Sequence, residues 1–140
     1  MKNNIHKKEN QIVGNVGLYY VCYELSKRGW NVLPTSRNAK GVDIVAYSQK
    51  ATKTITIQVK ALTEKTPVPF GNNIDHLFAE YVIICRKVFD DRPEIFIIKS
   101  SEVKRGIHKG EKNGKISYWL QPKAYEEYLN RWNEIGDGYE

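Results

Sequence analysis

The stretch Gly41–Leu62 reads GVDIVAYSQKATKTITIQVKAL and decides the fold that we predict for this chain. It opens with one acid, Asp43, ahead of a short apolar run, and after a polar turn it continues as the alternating run Thr54–Lys60. Alternation with a period of two predicts a strand and places Gln58 and Lys60 together on one of its faces. If the two runs pair as a hairpin, Asp43 comes close to both side chains. A carboxylate, an amide oxygen and an ammonium gathered in this way suit a hard cation and a phosphate.

A helix is predicted ahead of this stretch. An apolar stripe indicates a helix that begins with Asn10 as its cap and runs to about Arg28, where Gly29 ends it. Gly14 and Gly17 are costly inside a helix, so we expect them to allow close approach of the helix to the sheet or to a ligand backbone.

Three further runs complete the predicted sheet. Trp30–Pro34 is typical of an edge strand, and the apolar run Tyr81–Cys85 indicates a buried central strand. Glu94–Ile98 is expected to pair back against that central strand. The intervening Ala61–Glu80 is rich in residues that break regular structure, with a short helical turn expected at Ile74–Phe78.

The C-terminal third carries clear turn and helix signals. Ser100–Val103 indicates a helix start, and Asn113-Gly114 predicts a hairpin within 106–120. Pro122 is expected to open a last helix that Gly136 ends. The apolar stripe of that helix should pack on the core and consists of Tyr125, Tyr128, Leu129, Trp132 and Ile135. We therefore predict one α/β domain over 1–140, flexible over 1–9, with a central mixed sheet of four or five strands flanked by the N-terminal and C-terminal helices.

The charge of the chain favours a nucleic-acid partner. The net charge is +6, and because the last sixteen residues carry −4, the preceding 124 carry +10. Clustered Lys and Arg gain free energy when they release counterions from phosphates, although lysine can also serve only solubility. The candidate DNA-backbone contacts, with solvated loops as the alternative, are Arg37, Lys40, Lys104, Arg105 and Lys109.

The composition also indicates a compartment. No apolar run is long enough to span a membrane, and the first residues lack the apolar stretch of a secretory signal. Cys22 and Cys85 fall on predicted core elements and are expected to stay reduced, which favours a cytoplasmic protein. No cysteine or histidine spacing indicates zinc, and the sequence leaves a homodimer open.

The pattern D-x14-Q-x-K formed by Asp43, Gln58 and Lys60, with a helix before it and a further strand after it, resembles the PD-(D/E)xK nuclease superfamily. The branch with Gln in place of the middle acid, as in Mrr-like enzymes, and the compact resolvase-like relatives look most similar. The resemblance covers roughly residues 11–103. It implies a restriction endonuclease-like fold with an αβββαβ core, and a metal-dependent endonuclease that hydrolyses phosphodiester bonds in DNA.

The resemblance also implies a role for each residue of the motif. Asp43 and the main-chain carbonyl of Val59 would hold Mg²⁺ or Mn²⁺, with Gln58 binding the ion directly or through water. Lys60 would orient the attacking water or neutralise the scissile phosphate.

One position departs from the pattern of the superfamily. Similar proteins often read G-x-x-G-E at the start of the first helix, where the Glu helps to hold the metal, whereas this chain reads GNVGL over 14–18. Leu18 replaces that acid and should weaken metal binding, and Asn15 one turn earlier offers only an amide oxygen. A catalytically inactive DNA-binding or assembly module is therefore the alternative, ahead of an RNA-binding domain. An ordinary surface role for Asp43, Gln58 and Lys60 also stays open.

Overall fold

The structure is a computed structural model that describes residues 2–36 and 41–140, with side chains from residue 9 onward. In chain order its elements are α1 (Lys2–Lys27), β1 (Asn31–Pro34), β2 (Ile44–Tyr47), β3 (Thr54–Leu62), β4 (Val68–Pro69), β5 (Tyr81–Arg86), β6 (Glu94–Lys99), α2 (Ser100–Gly106), β7 (His108–Lys112), β8 (Lys115–Leu120) and α3 (Pro122–Tyr125). Short 3-10 turns span Ile74–His76, Glu126–Tyr128 and Trp132–Glu134.

The main sheet has five strands in the order β1-β2-β3-β5-β6. β3 and β5 run parallel, and every other neighbouring pair is antiparallel, so the sheet is mixed as predicted. The apolar run of β5 is buried on both faces, which explains its lack of alternation.

Helix α1 covers one face of this sheet. On β3, this is the face opposite to the one that bears Gln58 and Lys60. A Cβ atom on Gly17 would lie 2.5 Å from the Cβ of Ala61, so this glycine allows the close helix–sheet approach that the sequence predicts. A Cβ on Gly14 would meet nothing within 4 Å, so this glycine makes no close approach to the sheet, and the approach of a ligand backbone there stays a prediction. The helix begins at Lys2, and the predicted cap at Asn10 lies inside it.

A second, three-stranded sheet covers the opposite face in the order β4-β8-β7, together with α2 and α3. The predicted hairpin is present, since β7 and β8 pair antiparallel. Asn113 and Gly114 at its turn both have positive φ, 53° and 76°. Tyr125 of α3 is fully buried in this layer and donates a hydrogen bond to the carbonyl of Thr66 at 2.9 Å. This bond fixes the segment that crosses from β3 to β5.

The long C-terminal helix was a wrong prediction, because α3 ends at Tyr125. The chain turns at Asn130, which has φ of 55°, and the Asn130 amide donates to the carbonyl of Ile95 at the sheet edge (2.8 Å). Four apolar residues of the predicted stripe consequently divide between two cores: Tyr125 and Tyr128 pack with the small sheet, and Trp132 and Ile135 pack with α1. The prediction was wrong for Leu129, which is exposed.

The crossover between β3 and β5 also differs from the expected αβββαβ core. It contains β4 and the 3-10 turn Ile74–His76, at the place where that core has an α-helix. The proline-rich sequence explains this, since Pro67 and Pro69 cannot donate backbone hydrogen bonds. Both cysteines are free; Cys85 is buried, whereas Cys22 is half-buried. Among the described helices, none has the length and apolar character that a membrane span requires.

Candidate active site

Asp43 lies directly before β2, and three neighbouring residues form hydrogen bonds with its backbone and side chain. Its amide donates to the carbonyl of Ile57 (2.8 Å), and its carbonyl accepts from the amide of Thr35 (2.9 Å). The Thr35 hydroxyl also donates to the carbonyl of Val42 at 2.6 Å. Most importantly, the Asp43 carboxylate accepts a hydrogen bond through Oδ2 from the amide of Val59 at 2.7 Å. The position of the carboxylate relative to β3 is therefore fixed.

The same hydrogen bond determines where the Val59 carbonyl lies. The N–H and C=O of one strand residue point to the same side of the strand. Because the Val59 amide faces the Asp43 carboxylate, the Val59 carbonyl is also on the side where β2 has ended. A carboxylate oxygen and a main-chain oxygen thus lie at one open edge of β3.

Lys60 is next to this edge, on the face of β3 turned toward the small sheet. Its Nζ lies 4.9 Å from the centre of the Phe70 ring. Burial lowers the pKa of the Lys60 ammonium, and the nearby negative charge of Asp43 partly opposes that shift. Lys60 forms no ion pair within the described residues, so its charge is available to an anion that enters the site.

Gln58 shares the face of β3 with Lys60 and is half-buried. Its amide makes no hydrogen bond to any described residue, so its oxygen is free to bind a ligand. The structure brings Asp43, Gln58, Val59 and Lys60 together along three consecutive residues of β3 and the start of β2.

The donor atoms of this site suit a hard cation. One carboxylate oxygen, one main-chain carbonyl and one amide oxygen are the ligand types that Mg²⁺ takes while it keeps several waters. The negative charge of the site is low. Across residues 9–36 and 41–140, no group of three or more His, Cys, Asp or Glu side chains is arranged to hold a metal. Leu18 packs against the core formed by α1 and the sheet and adds no charge.

The candidate DNA contacts fall in different parts of the molecule. Lys104 and Arg105 are exposed on α2, where Arg105 pairs with Glu102 at 3.3 Å. Lys109 is exposed on β7. Arg37 and Lys40 lie outside the described residues.

Two residues that the sequence did not single out support the site. Phe70 stacks with Lys60, and Thr35 supports the backbone before β2. Phe70 follows Pro69 in the irregular crossover, where no periodicity marks a packing role. Thr35 stands one residue after β1, at the position where an antiparallel partner for Asp43 is expected.

No protein-family model matches the chain, and no curated protein sequence matches it. Among solved structures, the fold is similar to that of Archaeoglobus fulgidus Hjc, a Holliday junction resolvase from an archaeal hyperthermophile. The TM-score is 0.54 at 18% sequence identity, over 78% of this chain and 91% of that chain. This likeness confirms the predicted α/β, restriction endonuclease-like fold.

Proposed function

We propose that this protein is a metal-dependent endonuclease that hydrolyses phosphodiester bonds in DNA. The observation that carries the proposal is the 2.7 Å hydrogen bond from the Val59 amide to the Asp43 carboxylate, beside the half-buried Lys60. It supports the arrangement expected of a PD-(D/E)xK nuclease with a Q-x-K motif. The resolvase-like fold makes branched DNA the first substrate to test.

In this proposal, Asp43, the Val59 carbonyl and the Gln58 amide oxygen hold Mg²⁺ or Mn²⁺. When bound, the ion lowers the pKa of water and withdraws charge from the phosphate oxygens. Lys60 orients the attacking water and offsets the charge of the scissile phosphate. The oxygen of one water bonds to phosphorus and releases a proton to solvent, one P–O ester bond breaks, and the leaving sugar oxygen takes up a proton from solvent.

Two substitutions test these roles with little change in packing. Asp43→Asn keeps an oxygen that accepts from the Val59 amide and removes the charge. Lys60→Met keeps an apolar stem over Phe70 and removes the ammonium. We expect each to reduce metal-dependent cleavage of a branched duplex by at least about 100-fold, with an unchanged melting temperature. Lys50→Ala, in the turn between β2 and β3, is the matched control and should cut as wild type does.

A second candidate is a DNA-binding module without chemistry. It is favoured by the single carboxylate of the site and by the packing of Leu18 in the core. Wild-type protein that binds branched DNA and does not cut it with Mg²⁺ or Mn²⁺ would favour this second candidate over the endonuclease.

A further inference from the structure

The outer face of the three-stranded sheet carries aromatic and basic side chains. Alternation along β7 and β8 turns Tyr118 and Leu120 toward the core. The residues on the other face, directed to solvent, are His108, Trp119, Gly110, Ser117, Lys112 and Lys115. Glu111, the one acid in the three strands, belongs to the opposite face from these residues.

Two rings form a platform on this outer face. His108 and Trp119 are directly opposite each other in the register, and their rings are nearly parallel, with an angle of 15° and centroids 5.9 Å apart. A Cβ on Gly110 would lie 2.8 Å from atoms of the Trp119 ring, so the indole lies over the backbone of this glycine. His108 is exposed and Trp119 is half-buried, which leaves ring surface open to solvent.

A cleft lies beside the platform. It has a volume of about 370 Å³ and is lined by His108 together with Gln121, Pro122, Lys123 and Ala124. Its walls combine the ring of His108, the apolar surfaces of Pro122 and Ala124, and the ammonium-bearing chain of Lys123. A planar ring that stacks on His108 can extend into this cleft.

The positive charges on this face have no ion-pair partner in the part of the chain that the structure describes. Lys112 and Lys115 are directly opposite each other at the hairpin end, an arrangement that is unfavourable between like charges. Neither these two residues nor Lys123 forms an ion pair with any described residue. Four residues along a strand place the lysine pair about 14 Å from the two rings, so a chain of two or three nucleotides spans both.

We propose that this face binds single-stranded DNA, with an unpaired base stacked on the His108–Trp119 platform and phosphates at Lys112 and Lys115. Stacking requires an exposed base face, which a duplex hides between its neighbouring pairs. Pro69 pairs with Trp119, and the next residue, Phe70, stacks with Lys60. Phe70 and Lys60 lie on the inner side of the small sheet, whereas the platform lies on its outer side; that the bound strand is DNA rests on the proposed nuclease function.

Binding is tested with full-length protein and fluorescent oligonucleotides in the absence of divalent metal. We expect Trp119→Ala to weaken binding of labelled (dT)12 by about tenfold or more, with little change for a matched duplex. The Lys112→Ala/Lys115→Ala double variant leaves the rings in place and should reduce the slope of log affinity against log salt by about 1.4. Lys50→Ala removes a charge elsewhere and should bind (dT)12 as wild type does.

Folding of each variant is checked by circular dichroism, and His108→Ala replaces Trp119→Ala if the latter does not fold. Equal affinity of the wild type and the platform variants for (dT)12 would overturn the proposal, and so would binding of (rU)12 without binding of (dT)12. Cleavage of branched duplex is measured separately. Binding of (dT)12 that depends on the platform, without cleavage, would support this binding site and refute the nuclease function. Cleavage without binding of (dT)12 would support the nuclease function and refute this binding site.

Discussion

Replacing Gly17 by alanine places a methyl group where α1 and β3 already touch. The new Cβ would lie 2.5 Å from that of Ala61, whereas carbon atoms pack at about 3.5–4.0 Å, so the helix or the strand must move by roughly 1 Å. Overpacking of this kind costs about 1–3 kcal/mol. Alanine regains about 1 kcal/mol through its higher helix propensity, so the net loss of stability should be about 0–2 kcal/mol.

Gly14 offers a matched control in the same helix. A Cβ there meets nothing within 4 Å, so Gly14→Ala gains the helix propensity without the collision. We expect it to stabilise the protein by about 0.5–1 kcal/mol. Because the propensity term is common to both variants, their difference of about 1–3 kcal/mol isolates the contact with Ala61.

Urea denaturation followed by far-ultraviolet circular dichroism measures both variants against the wild type. Since Ala61 directly follows Lys60, displacement of β3 should also reduce DNA cleavage, by up to about 100-fold for a 1 Å misplacement. Gly17→Ala and Gly14→Ala with the same stability would refute the close packing of α1 on β3.

Three further substitutions test the charges of the molecule. Leu18→Glu adds a carboxylate at the helix position where the resemblance to PD-(D/E)xK nucleases implies one, and calorimetry should show tighter Mn²⁺ binding; unchanged affinity would place residue 18 away from the metal. Burial lowers the pKa of Lys60, so a rate that needs its ammonium should fall on the alkaline side, and Lys60→Arg should extend activity to higher pH in a pH–rate profile. Hydrogen bonds from Arg86 lower the pKa of Glu94, so its stabilising effect is present above its ordinary pKa of 4.5 and is lost as pH falls through the lower folded value. Glu94→Gln should therefore lose less stability than the wild type between about pH 5 and pH 3 in urea titrations, and equal losses would contradict this account.

Local patterns in the sequence predict much of both sheets. The alternation over 54–60, the apolar run over 81–85 and the Asn113-Gly114 turn each indicate their element through nearest neighbours alone. The candidate site follows in part from the same patterns, because the β2–β3 hairpin that they predict, in its observed register of Ile44 opposite Ile57, places Asp43 beside Gln58.

Features that depend on distant partners could not be predicted in this way. The helical spacing after Pro122 is real, but the hydrogen bond from Asn130 to Ile95 draws the chain onto the sheet edge. The sequence likewise does not show that Phe70 meets Lys60, since the contact arises from the path of the crossover. In both cases tertiary contacts, and not local propensity, determine where the residues lie.

The parallel pairing of β3 with β5 bears on the order in which the chain folds. The β2–β3 hairpin closes a short loop, whereas β5 can join only after the segment from Thr63 to Glu80 has been brought back along the sheet. A crossover helix would form its own hydrogen bonds early, but here the segment contains a two-residue strand and a single 3-10 turn. Closing this loop therefore costs conformational entropy before the native contacts between β3 and β5 have formed. We expect the hairpin that bears the candidate catalytic residues to form first, and docking of β5 to limit the folding rate.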